Sequence, residues 1–290
     1  MQLQGIYVPI VTPFDAGGAV DAARLQELAE ALIATDVAGL AACGTTGEYY
    51  ALSDAERSQV LQIVASVARG KVALIAGIGD LSSQRSVQRA AEAAALGYDA
   101  LLLSPPPYSL PDAAGVRAHF EYAADQCELP IIIYNFPART GVNVDFDTAA
   151  ALAAHPNIIG IKESSGDFSQ ALRLLQADLD GFEVICGCDD QPLDYFFWGG
   201  RSWIAGAGNV FPGAQVALHA AAMRGDWDSA RALMRRMYPA LQAMEAGHYN
   251  QKAKAGCLNA TLDVGDVRLP LLPLGVAEKQ AFVALVRQVG

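Results

Sequence analysis

Lys162 is the residue with the clearest chemical potential. It closes Ile158-Ile159-Gly160-Ile161-Lys162, an apolar run of strand length. A lysine so placed sheds hydration, and loss of hydration favours the uncharged amine. An uncharged amine adds to a ketone carbon and forms a Schiff base. The competing reading is a lysine that snorkels out of its pocket or pairs with Glu163. The other four lysines, Lys71, Lys252, Lys254 and Lys279, fall on loops or helices, where a solvated charge is expected. Tyr134 ends the preceding apolar run, Ile131-Ile132-Ile133-Tyr134, and a phenol there can carry protons between an amine and a substrate oxygen. By itself it reads equally as a core tyrosine with a satisfied hydroxyl.

Three further segments supply polar groups. Gly44-Thr45-Thr46-Gly47-Glu48 is a tight turn whose amides and hydroxyls suit a carboxylate. It lacks the Gly-Lys-Ser/Thr ending of a phosphate loop. Arg139, in Pro137-Ala138-Arg139-Thr140-Gly141, suits a second carboxylate or stands as a plain surface arginine. Tyr108 tips the stiff stretch Ser104-Pro105-Pro106-Pro107-Tyr108, from which it would reach a neighbouring subunit or anchor its own loop.

These residues need elements to hold them. Eight short apolar runs recur at a spacing of roughly 20–35 residues, that of a βα unit. They are Ile6–Val11, Val37–Cys43, Val72–Ala76, Ala100–Ser104, Pro130–Tyr134, Ile158–Lys162, Phe182–Gly187 and Ser202–Ala207. Amphipathic stretches fill the gaps, one of them opened by the capping box Ser53-Asp54-Ala55-Glu56. Eight alternations predict a (β/α)8 barrel over residues 1–225, with the reactive residues at the strand C-termini. A doubly wound sheet would carry a glycine-rich loop after its first strand, where this chain has Val11-Thr12-Pro13-Phe14. Residues 226–290 read as a helical extension, with helices over Asp226–Ala246, Gln251–Ala260 and Ala277–Val289.

Composition narrows the function. The 290 residues carry 20 basic and 31 acidic side chains, a net charge of −11, which excludes the basic footprint of a nucleic-acid binder or a membrane-surface protein. Apolar residues make up 52%, enough for a large core, yet no run is long enough to span a bilayer. The stretch from Met1 to Phe14 lacks the basic opening of a signal peptide. Five cysteines and four histidines show no metal-ligand spacing, so no metal is expected, and the cysteines read as reduced cytoplasmic thiols.

Taken together, Gly44-Thr45-Thr46-Gly47-Glu48, Tyr134-Asn135-Phe136-Pro137-Ala138-Arg139-Thr140-Gly141 and Gly160-Ile161-Lys162-Glu163 resemble the dihydrodipicolinate synthase / N-acetylneuraminate lyase family of class I aldolases. The resemblance implies a (β/α)8 barrel with a C-terminal helical domain and a lyase without metal or organic cofactor. It implies that Lys162 forms the imine with pyruvate or a similar 2-oxo acid and that Tyr134 shuttles protons. Thr45 would relay protons between Tyr134 and the Tyr108 of a neighbouring subunit. Thr46 would hold the oxo-acid carboxylate, Arg139 would meet the carboxylate of an aldehyde substrate, and Gly187 and Ile204 would line the pocket through main-chain groups. A homotetramer, a dimer of dimers, is the implied assembly. Arg139 and the Thr45-Thr46 pair favour the synthase, which joins pyruvate to aspartate semialdehyde. Pro107 before Tyr108, Ser109 after it, and Asn250-Gln251-Lys252-Ala253-Lys254 depart from the synthase pattern. They keep open a 2-keto-3-deoxy sugar acid aldolase or dehydratase and a neuraminate lyase-like enzyme. A catalytically silent paralogue that only binds a 2-oxo acid is the non-enzyme alternative.

Overall fold

The computed structural model describes residues 3–289; Met1, Gln2 and Gly290, the outer ends of the two expected segments, lie outside the described residues. All eight expected strands form. They are β1 (Gly5–Pro9), β2 (Gly39–Ala42), β3 (Ala73–Gly77), β4 (Ala100–Leu103), β5 (Ile131–Asn135), β6 (Ile158–Glu163), β7 (Glu183–Cys186) and β8 (Ser202–Ile204). They follow one another in sequence order round a closed parallel barrel. Parallel strands buried on both faces need apolar residues at nearly every position, which is why the runs show little polar alternation.

The helices are α1 (Ala22–Ile33), α2 (Asp54–Ala68), α3 (Ser83–Ala95), α4 (Ala113–Gln126), α5 (Pro137–Thr140), α6 (Phe146–Ala153), α7 (Phe168–Gln176), α8 (Pro192–Phe197), α9 (Pro212–Met223), α10 (Trp227–Glu245), α11 (Tyr249–Ala255), α12 (Cys257–Ala260) and α13 (Val276–Arg287). Caps explain several starts. Asp21, Ser82, Asp112 and Asp145 each accept a backbone N–H of the first turn, and Ser53 with Glu56 completes the expected box. One expectation is corrected. The helix read over Gln251–Ala260 ends at Ala255, capped by Gly256, and beyond that cap Leu258, Asn259 and Ala260 adopt positive φ values of 48°, 58° and 59°. Gly256 and Asn259 are the local signals of that end, a helix-capping glycine and a residue tolerant of positive φ; Leu258 and Ala260 carry none.

Two compact units are distinguishable. One is built on Ile75–Ile204 and carries β4 to β8. The other is built on Gly5–Leu74 and the chain from Ala205 onward, so the C-terminal helices α10 to α13 belong with β1 and β2. Among the described residues, no helix is long and apolar enough to cross a membrane.

Candidate active site

In the Ile75–Ile204 unit, β5 and β6 pair so that Tyr134 stands beside Lys162 and Asn135 beside Glu163. Side chains alternate along a strand, so Tyr134 and Lys162 share one face while Asn135 and Glu163 share the other. The two pairs have opposite fates. Glu163 is buried and fully engaged: its Oε2 accepts from Asn135 Nδ2 at 2.9 Å and Gln170 Nε2 at 2.8 Å, and its Oε1 from the Ser165 N–H at 2.6 Å. Asn135 also accepts the Val144 N–H at 2.9 Å and donates to Asn143 Oδ1 at 2.9 Å. A network satisfied at this level locks the ends of both strands. It also disposes of the ion pair between Lys162 and Glu163.

Lys162 is left without a counter-charge. It is 5% exposed, and among the described residues it has neither a carboxylate nor a hydrogen-bond partner. Its Nζ lies 4.3 Å from the centroid of the Tyr134 ring. Tyr134 in turn packs on Phe136, with ring centroids 5.8 Å apart. Gly187, just past β7, closes in from the other neighbouring strand. A Cβ there would meet Ser164 Oγ at 2.0 Å, Glu163 O at 2.7 Å and Lys162 Cγ at 2.9 Å, so only glycine fits against the lysine stem. Ile204 is fully buried at the end of β8. Arg139 lies in the one-turn helix α5, exposed, with its guanidinium carbon 5.8 Å from the Phe136 ring. Tyr108 is 92% exposed and sits at φ 74°, a left-handed conformation costly for an aromatic residue.

Thr45 and Thr46 belong to the other unit, in the turn after β2. The turn is not free-standing. Glu48 N–H donates to Thr45 O at 3.1 Å, Thr12 Oγ1 to Gly47 O at 2.7 Å, and Asn250 Nδ2 to Thr45 O at 2.9 Å. Glu48 is fully buried; its Oε2 accepts the Arg268 N–H at 3.0 Å, and Lys254 Nζ lies 2.8 Å from its Oε1. Lys254 also donates to Asp266 O at 2.8 Å and rests 4.0 Å from the Phe14 ring centroid. Burial pulls the Lys254 ammonium below its ordinary value, and the Glu48 carboxylate partly offsets that shift. Lys252 is likewise buried and donates to Ala243 O at 2.8 Å and Gly247 O at 2.7 Å. The expectation of solvated charges at Lys252 and Lys254 is therefore wrong. Helical spacing alone does not reveal that α11 faces inward.

Two other features had gone unseen in the sequence. Ser164 is two positions beyond Lys162, hence on the same face by strand alternation, and its buried hydroxyl has no hydrogen-bond partner. Asn250 ties α11 to the Thr45 turn from 205 residues away. None of the five cysteines forms a disulfide among the described residues. Burial pushes Cys127 up to about 11, Cys257 up to about 12 and Cys186 well above its ordinary value, so none of these three is a ready thiolate nucleophile.

The profile of the Dihydrodipicolinate synthetase family matches residues 2–289. A 4-hydroxy-tetrahydrodipicolinate synthase of Exiguobacterium sibiricum is 38% identical over 269 residues, covering 93% of this chain and 92% of that protein. The corresponding protein of Thermomicrobium roseum is 37% identical, covering 97% and 93%. Among solved structures, a dihydrodipicolinate synthase from Acinetobacter baumannii complexed with pyruvate superposes with a TM-score of 0.92 at 32% identity, covering 99% of both chains.

Proposed function

The chain belongs to the dihydrodipicolinate synthetase family, and from that membership we propose that it is a Schiff-base lyase condensing pyruvate with aspartate semialdehyde to 4-hydroxy-tetrahydrodipicolinate. The observation that carries this reading is Lys162: a buried amine at a barrel strand terminus, with no carboxylate partner among the described residues and a phenol ring against it.

The chemistry follows from those groups. The Lys162 amine attacks the pyruvate ketone, and loss of water leaves an iminium. The iminium withdraws electrons, so the methyl carbon releases a proton and becomes an enamine. That carbon forms a bond to the aldehyde carbon, whose oxygen takes up a proton. The amino group of the semialdehyde then attacks the iminium carbon and closes the ring. Breaking the bond to lysine restores the free amine. Each proton transfer needs a relay close to Nζ, and Tyr134 supplies the phenol. Thr45 extends that relay toward Tyr108 of a second subunit, and Thr46 with its backbone holds the pyruvate carboxylate. Arg139 meets the carboxylate of the semialdehyde. Gly187 and Ile204 line the pocket through main-chain groups. The exposed, left-handed Tyr108 suits a residue that completes its contacts in an oligomer, and a homotetramer built from dimers is the assembly proposed here. Free thiols and the absence of a spanning helix among the described residues are compatible with a cytoplasmic enzyme.

A specific observation keeps a second reading in play. The unpartnered Ser164 hydroxyl beside Lys162 offers a polar contact of the kind that a hydroxylated 2-keto-3-deoxy acid would use. The test is a pair of measurements. Borohydride reduction in the presence of pyruvate should give one covalent adduct, located at Lys162 by mass spectrometry of the digested protein. Turnover should then be measured with pyruvate plus aspartate semialdehyde, beside a panel of 2-keto-3-deoxy acids. No adduct, or an adduct elsewhere, sinks the Schiff-base mechanism. An adduct with turnover only on the sugar acids moves the assignment to the second reading.

A further inference from the structure

The turn Thr45-Thr46-Gly47-Glu48 needs outside support. Glu48 sits at φ 55°, a left-handed conformation that a non-glycine residue holds only when its surroundings impose it. Thr12 braces it from the start of the chain, and the rest of the support described comes from the far end. Asn250 Nδ2 donates to the Thr45 carbonyl at 2.9 Å and to the Tyr50 hydroxyl at 3.0 Å. Glu48 accepts the Arg268 N–H on Oε2, and its Oε1 is ion-paired with the Lys254 ammonium. The side chains of Lys254 and Glu48 are 2% and 0% exposed.

A buried ion pair is a poor device for stability alone. Desolvation of both charges consumes most of what their attraction supplies, and well-packed apolar residues do as well or better. What the pair adds is direction: a carboxylate held on two sides fixes the backbone that carries it. Asn250 is more pointed still. It is 3% exposed, and it spends a donor on the carbonyl of Thr45 itself, 205 residues away.

We propose that Asn250 and the buried Glu48–Lys254 pair are positioning residues: they hold the Thr45–Thr46 turn in the geometry that binds the oxo-acid carboxylate, so the helical C-terminal segment sets affinity for the first substrate. The proposal rests on the assignment of Thr45 and Thr46 made above, and it makes a demand that a merely structural role does not. Simple packing residues, once replaced, lower stability and leave the correctly folded molecules with unchanged affinity.

The experiment uses the full chain and the variants Asn250→Ser, Lys254→Met and Lys254→Arg. Two quantities are read. One is the pyruvate concentration that half-saturates borohydride trapping at Lys162, set beside kcat. The other is amide exchange at Thr46, Gly47 and Glu48, which needs no activity. Asn250→Ser should raise half-saturating pyruvate about tenfold, the equivalent of one hydrogen bond, with full trapping at saturation and kcat within about threefold. Exchange at the three turn amides should quicken while α2 stays protected. Lys254→Met should do the same if it folds, and Lys254→Arg, which keeps the charge, should recover most of the loss. Half-saturation within about twofold of the parent in folded Asn250→Ser overturns the proposal. A parent protein that traps no pyruvate instead refutes the functional reading. The exchange data then decide alone: unchanged turn amides in Asn250→Ser overturn the positioning role, and faster ones sustain it.

Discussion

Two buried lysines show what burial means in different company. Lys162, at the end of β6, and Lys254, in α11, are 5% and 4% exposed. Each stands against an aromatic ring, Tyr134 at 4.3 Å and Phe14 at 4.0 Å. They differ in counter-charge. Lys254 meets Glu48 at 2.8 Å and a backbone carbonyl, which answer its charge and fix its place. Lys162 has neither, because the adjacent carboxylate of Glu163 is committed to Asn135, Gln170 and the Ser165 N–H. A buried lysine with a carboxylate is a structural tie. A buried lysine whose neighbouring carboxylate in the chain has been taken up by other donors keeps an uncommitted amine.

That contrast can be broken most directly by exchanging each lysine for methionine. Lys162→Met should remove the trapped adduct and lower turnover by at least about 10⁴-fold, while thermal unfolding stays where it was or rises, since no charge loses a partner. A marked fall in the unfolding temperature would show that Lys162 has a structural partner after all. Tyr134→Phe sharpens the chemical side. Turnover should drop by roughly 10²–10⁴-fold with the fold intact, as measured by steady-state rates and circular dichroism; near-parental rates would take the phenol out of the proton path. Lys254→Met probes the structural side. It strands the fully buried Glu48, so denaturant unfolding should show a loss of about 3–5 kcal/mol. A loss below about 0.5 kcal/mol would put the pair on a level with an exposed ion pair.

The smallest effect concerns His119, a buried base that lacks any counter-charge among its contacts. Its Nδ1 accepts from Ser83 Oγ at 2.8 Å, and its Nε2–H donates to Ser104 O at 3.3 Å. Burial lowers it to about 4 from an ordinary value of 6.5. The unfolded chain therefore binds a proton that the folded one refuses between these values. The stabilising contribution is complete above pH 6.5 and is lost as pH falls toward 4, by up to about 3 kcal/mol. Replacing His119 with Gln should flatten the acid limb of a plot of unfolding free energy against pH. An unchanged slope between pH 6.5 and 4 would show that another group drives it.

The barrel was legible because buried parallel strands must be apolar along their whole length, and eight such runs leave few other folds. Lys162 was legible for the same reason: a charge closing an apolar strand stands out. Lys252 and Lys254 had no such background. Helix α11 reads Tyr-Asn-Gln-Lys-Ala-Lys-Ala, polar enough to pass for a surface helix, and only the three-dimensional arrangement turns Lys252 and Lys254 inward. Asn250 was invisible in its role, because a bond spanning 205 residues leaves no trace in local spacing. The pair Asn135 and Glu163 could have been suspected from alternation, since a polar residue that follows Tyr134 or Lys162 along its strand faces the other way and needs partners of its own. The reversal at Leu258–Ala260 was harder to suspect, for two of its three residues, Leu258 and Ala260, ordinarily avoid positive φ.

The bond from Asn250 to Thr45 also sets a clock on biosynthesis. A ribosome emits the Thr45 turn early and must add 205 residues before its anchor is made. At about 5–20 residues per second that interval is roughly 10–40 s. During it a nascent chain carries a Thr45 turn without that brace, although most of the barrel strands have already been made.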